Sequence, residues 1–243
     1  MRQEPDVRGF AITHPGGSAV LPQSAGWDQL IYATSGVMSV HTGDGTWVIP
    51  PDRAVWVPAG VPHRLELAGR VAIRTLYLRA GLIALPGGCR AVNVHPLLRE
   101  LIRYAVPRCP LFVADPPQSR LIGVILDLLV ELPTAPLRVP LPADPRARAA
   151  ASAIRADPSG AVPGGLASRR TLERLFRTET GLSIGQYRER ARLLAALPRL
   201  ASGEPVARVA ADVGYATPSA FGAMFKRVLG VSPSRYFSSP SAG

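Results

Sequence analysis

Ser168-Arg-Arg-Thr-Leu172-Glu-Arg-Leu-Phe176-Arg-Thr-Glu-Thr-Gly181-Leu-Ser183-Ile-Gly-Gln-Tyr187 returns forty-nine residues later, without a gap, as Thr217-Pro-Ser-Ala-Phe221-Gly-Ala-Met-Phe225-Lys-Arg-Val-Leu-Gly230-Val-Ser232-Pro-Ser-Arg-Tyr236. Phe176/Phe225, Gly181/Gly230, Ser183/Ser232 and Tyr187/Tyr236 are identical. Each copy reads as a helix with a start and a stop. Ser168 and Thr217 can cap the first free amides, and Pro218 suits the first helical position. Leu172, Leu175 and Phe176, like Phe221, Met224 and Phe225, fall at i, i+3, i+4 on one apolar stripe. Gly181 and Gly230 stand where a left-handed residue ends a helix. Two equal helical units predict a tandem reader of a helical polymer, and DNA is the leading candidate.

Working outward, charge follows the repeat. The 243 residues carry a formal charge of +11; residues 146–243 hold 15 Lys+Arg against 6 Asp+Glu, and residues 1–145 hold 13 against 11. All but one of the cations are Arg, whose planar fork pairs with phosphate and guanine edges. Cys89 and Cys109 lack metal-ligand spacing and read as reduced thiols. There is no secretory pattern and no apolar run of 18 residues, so a cytoplasmic protein without membrane attachment is expected.

Residues 1–85 read as short strands separated by Gly and Pro turns, the signature of a small barrel or sandwich. Residues 90–132 show two helical stretches, Pro96–Val106 and Gln118–Leu132. Their apolar faces need either the barrel or a second subunit to cover them. Five prolines in 133–145 predict a stiff, extended linker. Helical structure resumes at 146 and runs to 237. The fold class expected is therefore α+β: an N-terminal β-barrel with a helical segment, then an all-α domain with two helix-turn-helix units, the first truncated.

The second unit is complete. Pro205–Asp212 forms its supporting helix, Gly214 supplies the turn, and Pro218–Leu229 is the recognition helix. Ala216, Thr217, Ser219, Ala220 and Ala223 at its leading end are small and suit thymine methyls and phosphates, while Lys226 and Arg227 suit phosphate. The first recognition helix differs, exposing Arg169, Arg170, Thr171, Glu173, Arg174 and Arg177. Arg170 and Arg174 are i, i+4 neighbours, and Glu173 can accept from cytosine. A solvated Arg/Glu helix face is the plain alternative.

From Gly203 to Tyr236 the sequence resembles the most specific segment of the DNA-binding domain of AraC/XylS regulators, and residues 146–237 match that domain's pattern. The resemblance implies two helix-turn-helix units joined by a long helix, here Ser183–Ala201. One departure stands out. The family's supporting helix before the first recognition helix is replaced by Asp157-Pro-Ser-Gly-Ala-Val-Pro163-Gly-Gly165, whose prolines and glycines oppose a helix. A looser first unit is expected.

Pro58-Ala-Gly60-Val-Pro-His63 resembles the second motif of cupin barrels. The first motif's His-x-His is missing, since Gln23-Ser24-Ala25 stand there, so neither a bound metal nor any other cofactor is expected. Trp27, Tyr32, Trp47, Trp56 and His63 are candidates to line an effector pocket. Plain filling of the barrel is the alternative for each. The resemblance implies a transcription regulator, more often an activator, controlled by a small molecule. Its partners would be double-stranded promoter DNA, RNA polymerase if it activates, and a second copy in a homodimer. Two other readings stay open. One is a degraded regulator that binds DNA weakly and acts by dimerisation; the other is a cupin-type enzyme with an auxiliary C-terminal domain.

Overall fold

The computed structural model describes residues 4–19, 25–43, 45–135 and 137–238; Gln23 and Ser24 lie outside them. In chain order the strands are β1 (Val7–His14), β2 (Gly17–Ala19), β3 (Trp27–Thr42), β4 (Gly45–Ile49), β5 (Arg53–Val57), β6 (Arg64–Arg79), β7 (Arg90–Asn93) and β8 (Arg138–Pro140). The helices are α1 (Pro96–Ala105), α2 (Pro116–Glu131), α3 (Pro145–Ala156), α4 (Arg169–Thr180), α5 (Ile184–Ala201), α6 (Val206–Asp212), α7 (Pro218–Leu229) and α8 (Pro233–Ser238). Two compact units result: Met1–Thr42 with Ile49–Pro136, and Gly43–Val48 with Leu137–Gly243.

In the first unit β6 is the organising strand. It pairs antiparallel with β1 (Val7↔Leu78), with β2 (Gly17↔Leu67) and with β3 (Trp27↔Arg79). β3 also pairs with β5 (Gln29↔Val57), and β5 with β7 (Arg53↔Asn93). Two register shifts in β3, from Ala33 to Val37, bend the long β3–β6 pair. Gly36 sits there at φ 74°, and a Cβ on it would come within 2.5 Å of the Arg70 carbonyl oxygen, so only glycine fits.

Period-two alternation then sorts the side chains. Leu30, Tyr32, Ala54, Trp56, Leu76 and Leu78 point to one face and join Leu98 and Ile102 of α1 and Ile122, Ile125 and Leu129 of α2 in one core. The two helices thus cover the sheet, which answers where their apolar stripes go. The residues between, among them Ile31, Ala33, Val55, Val57 and Ile73, are also fully buried.

The second unit contains a segment from the first half of the sequence. β4 pairs with β8 (Gly45↔Pro140, Thr46↔Val139, Trp47↔Arg138), and the Val48 amide donates to the Leu137 carbonyl at 3.1 Å. Trp47 is 1% exposed, with the Arg138 guanidinium 5.0 Å from its ring centroid. Arg155 of α3 donates to Thr46 Oγ1 at 2.8 Å, and the Tyr187 hydroxyl of α5 donates to the Pro140 carbonyl at 2.9 Å.

This corrects two expectations. Residues 138–140 of the Pro-rich stretch, expected as part of a stiff, extended linker, are a paired, largely buried strand, because Leu137 and Val139 supply apolar side chains between the prolines. Trp47 falls in the C-terminal unit, across from Arg138, and outside the core that Tyr32 and Trp56 share.

Candidate nucleic-acid interface

The repeat seen in the sequence is a structural repeat. Ser168 and Thr217 cap α4 and α7, accepting from the Thr171 amide at 3.1 Å and the Ala220 amide at 3.2 Å. Gly181 and Gly230 end the two helices at φ 72° and 87°. Phe176 meets Tyr187 edge-on with ring centroids 5.0 Å apart, and Phe225 meets Tyr236 in the same way at 5.7 Å. The identical residues of the two copies thus perform the same packing task. Leu172, Leu175 and Phe176 on α4, and Phe221, Met224, Phe225 and Leu229 on α7, face inward, so each helix presents one fixed face to solvent.

On α4 that face carries Arg169, Arg170, Arg174 and Arg177, all exposed, with Thr171 and Glu173 half-buried. Arg169, Arg170 and Arg174 make no hydrogen bond or ion pair with the described residues. Glu173 is engaged: one carboxylate oxygen accepts from the Ile184 amide at 3.3 Å, and the other meets Arg177 Nε at 3.3 Å. On α7, Thr217, Ser219, Ala220, Ala223, Lys226 and Arg227 are exposed, as is Ala216 just before it. Arg227 pairs with Glu189 of α5 at 2.5 Å. The first helix therefore offers long unpaired cations, and the second a smooth, small-residue end.

Residues 157–167 form no helix, as the sequence predicts, yet part of the segment is firmly anchored. The Asp157 carboxylate accepts from the Ser159 and Gly160 amides, both at 3.0 Å. The Ser159 hydroxyl and these two amides hold that carboxyl below its ordinary range. Arg188 of α5 donates to the Gly160 carbonyl, and Arg192 donates to the Pro158 carbonyl at 3.1 Å. Sequence reading missed these two anchors, because their partners are backbone carbonyls and leave no pattern. The second unit is tied to the joining helix by Arg199, which meets Glu204 at 2.6 Å and Asp212 at 2.5 Å. These contacts raise the Arg199 pKa and lower that of Glu204.

The aromatic candidates of the first unit separate by strand register. Tyr32 and Trp56 lie on the helix-covered face, and the Tyr32 hydroxyl reaches Asp52 at 3.4 Å. Burial raises the Tyr32 pKa further than the Asp52 charge does. Trp27 falls on the opposite face, under the Arg8 guanidinium at 4.1 Å. His63 is buried, with Nδ1 3.0 Å from the Val61 carbonyl oxygen. Among the described residues no three His, Cys, Asp or Glu side chains lie close enough together to hold a metal ion, and no helix is long and apolar enough to cross a membrane.

Two family models match the chain: a helix-turn-helix domain over residues 166–239 and an AraC-like ligand-binding domain over residues 13–106. The HTH-type transcriptional regulator NimR of Escherichia coli is 35% identical over 214 residues, covering 86% of this chain and 78% of that protein. The chain belongs to the AraC family of transcription regulators. The HTH-type transcriptional regulator RipA of Corynebacterium glutamicum is 25% identical over 85% of this chain and 61% of its own length. Among solved structures, the DNA-binding domain of AdpA in complex with a target DNA is 34% identical over 40% of this chain and 92% of that chain, at a TM-score of 0.35. As an AraC-family member the chain is a DNA-binding transcription regulator with a ligand-binding domain.

Proposed function

We propose that this regulator reads base sequence with α4 and fixes its register on the duplex with α7. The observation that carries the reading is the asymmetry between the two exposed faces. Arg169, Arg170 and Arg174 are long, charged and without partners among the described residues, whereas Thr217, Ser219, Ala220 and Ala223 are short. Arg170 and Arg174 lie one turn apart, a spacing suited to guanine O6 and N7 on one strand. Glu173, shared between the Ile184 amide and Arg177, orients the helix end instead of accepting from cytosine. Lys226 takes phosphate. The anchored 157–160 loop favours a working first unit over a degraded one.

A small effector held by the N-terminal unit biases DNA engagement by binding one arrangement of the protein better than the other. The mode is activation, with RNA polymerase as the downstream partner, in the cytoplasm. α1 and α2 leave Leu97, Tyr104, Val124 and Val130 exposed by 56%, 52%, 44% and 62%, a surface suited to pairing two copies.

The test is a salt-series footprint on DNA upstream of the protein's own gene, with competitor DNA present. Two adjacent protected major-groove segments are expected. Arg170→Ala with Arg174→Ala should lose one of them and lower specific affinity at least tenfold. Protection indifferent to both arginines overturns the assignment of base readout to α4. A two-chain species in sedimentation, lost with Leu97→Asp, supports the dimer, and a monomer at every concentration overturns it.

A further inference from the structure

A cavity of about 140 Å³ lies inside the second unit, where the β4–β8 pair meets α3 and α5. Local geometry accounts for it. Thr46 and Val48 are two apart on β4 and share a face, with Val139 of β8 directly across from Thr46. Ala191, Leu194 and Ala195 line the opposite wall and fall at i, i+3, i+4 on one stripe of α5. The two alanines are too short to close the gap to the strands. An apolar cavity of roughly 150 Å³ holds a benzene ring, so this one takes a compact body of about six carbons.

Arg155 of α3 is the charged residue on the lining. Its Nη2 donates to Thr46 Oγ1 at 2.8 Å, and it makes no other hydrogen bond and no ion pair with the described residues. The side chain is half-buried, and none of its unbonded nitrogens is sealed from solvent. A guanidinium so placed still offers N–H donors in the planar fork that a carboxylate matches. The residues around it add positive charge. Arg190 and Arg192, on either side of Ala191, donate to the Arg138 and Pro158 carbonyls, bonds that satisfy donors without cancelling charge.

We infer that this cavity is a small-molecule site of the second unit that takes a monocarboxylate with a compact apolar body, such as a benzoate. The carboxylate accepts from Arg155, and the apolar body lies between Val48 and Val139 on one side and Ala191, Leu194 and Ala195 on the other. One guanidinium matches one negative charge, and the apolar walls give nothing to the second charge of a dicarboxylate. The ligand rests on α5, the helix that joins the two helix-turn-helix units. The effector reading above concerns the N-terminal unit, and this site goes beyond it without depending on it.

The test titrates benzoate into the full chain by calorimetry, with toluene and benzylamine as comparators. Benzoate should saturate at one per chain and slow amide exchange at residues 46–48 and 191–195. Both comparators should bind about tenfold more weakly or worse, since neither can accept from Arg155. Arg155→Met should weaken benzoate by about tenfold and leave toluene unchanged. Ala195→Leu, at a half-buried position of α5, should fill the cavity and abolish benzoate binding. Absence of saturation in the unaltered protein overturns the inference, as water alone then fills the cavity. Equal binding of toluene or benzylamine overturns the carboxylate assignment. Saturable benzoate that leaves exchange at 46–48 and 191–195 unchanged overturns the location, and so does benzoate binding that survives Ala195→Leu. The comparators and the exchange pattern are read on the unaltered protein, so they decide the outcome even if a variant fails to fold. No DNA enters the titration, so its failure counts against this site alone and a failed footprint counts against the DNA reading.

Discussion

Gly214 shows how much one residue can decide in the second helix-turn-helix. Its φ is 88°, a region where a side chain costs roughly 1–2 kcal/mol. A Cβ there would lie 2.9 Å from the Ser159 Cβ, 3.1 Å from the Ser159 Cα and 2.9 Å from Arg192 Nη2. The turn between α6 and α7 is thus pressed against the loop that precedes α4. Gly214→Ala should lower stability by about 2 kcal/mol or more, read as the denaturant midpoint. A neutral result would mean that Ser159 and the turn are not in contact in solution.

Among the elements, the anchored loop before α4 is the departure that most affects function. A supporting helix would bury an apolar stripe beneath the recognition helix. Here Asp157 closes the turn and Arg188 and Arg192 hold the Pro158 and Gly160 carbonyls against α5. Bonds from a charged donor are stronger than neutral ones, which lets a short loop replace a longer helix. Arg188→Met keeps the stem and removes the bond. Amide exchange at residues 159–161 should then quicken by about tenfold, the equivalent of ~1.4 kcal/mol. Protection of the DNA segment assigned to α4 should weaken, while that assigned to α7 holds. Unchanged exchange would show that Arg192 alone anchors the loop.

At the scale of the whole molecule, the chain passes between the two units three times, at 42/43, 48/49 and 136/137. The consequence is that Gly43–Val48, read along the sequence as part of the sensor, completes the fold of the C-terminal unit. Among the described residues Trp47 is the largest fully buried side chain, and it lies across from Arg138. Trp47→Ala in the full chain should cost about 3–5 kcal/mol. The loss should appear in unfolding of the helical unit, followed by helix-sensitive circular dichroism. If only the sheet-rich unit were destabilised, the placement of Trp47 would be wrong.

The sequence alone determined the features that local chemistry writes into neighbouring residues. Caps at Ser168 and Thr217, terminators at Gly181 and Gly230, and apolar stripes at i, i+3, i+4 act within one or two turns of chain, so α4, α7 and their exposed arginines were legible, as was the missing helix at 157–167. Runs of β-branched and aromatic residues between Gly and Pro turns likewise marked the strands of residues 1–85. Their pairing was not legible, because register between β3 and β6 depends on where a bend at Gly36 shifts it. The partner of Arg138–Pro140 was hidden for a similar reason. A three-residue strand has no pattern of its own, and only the tertiary structure decided that it pairs with Gly45–Ile49. Burial of Trp47 favours that pairing, and its two strands lie some ninety residues apart.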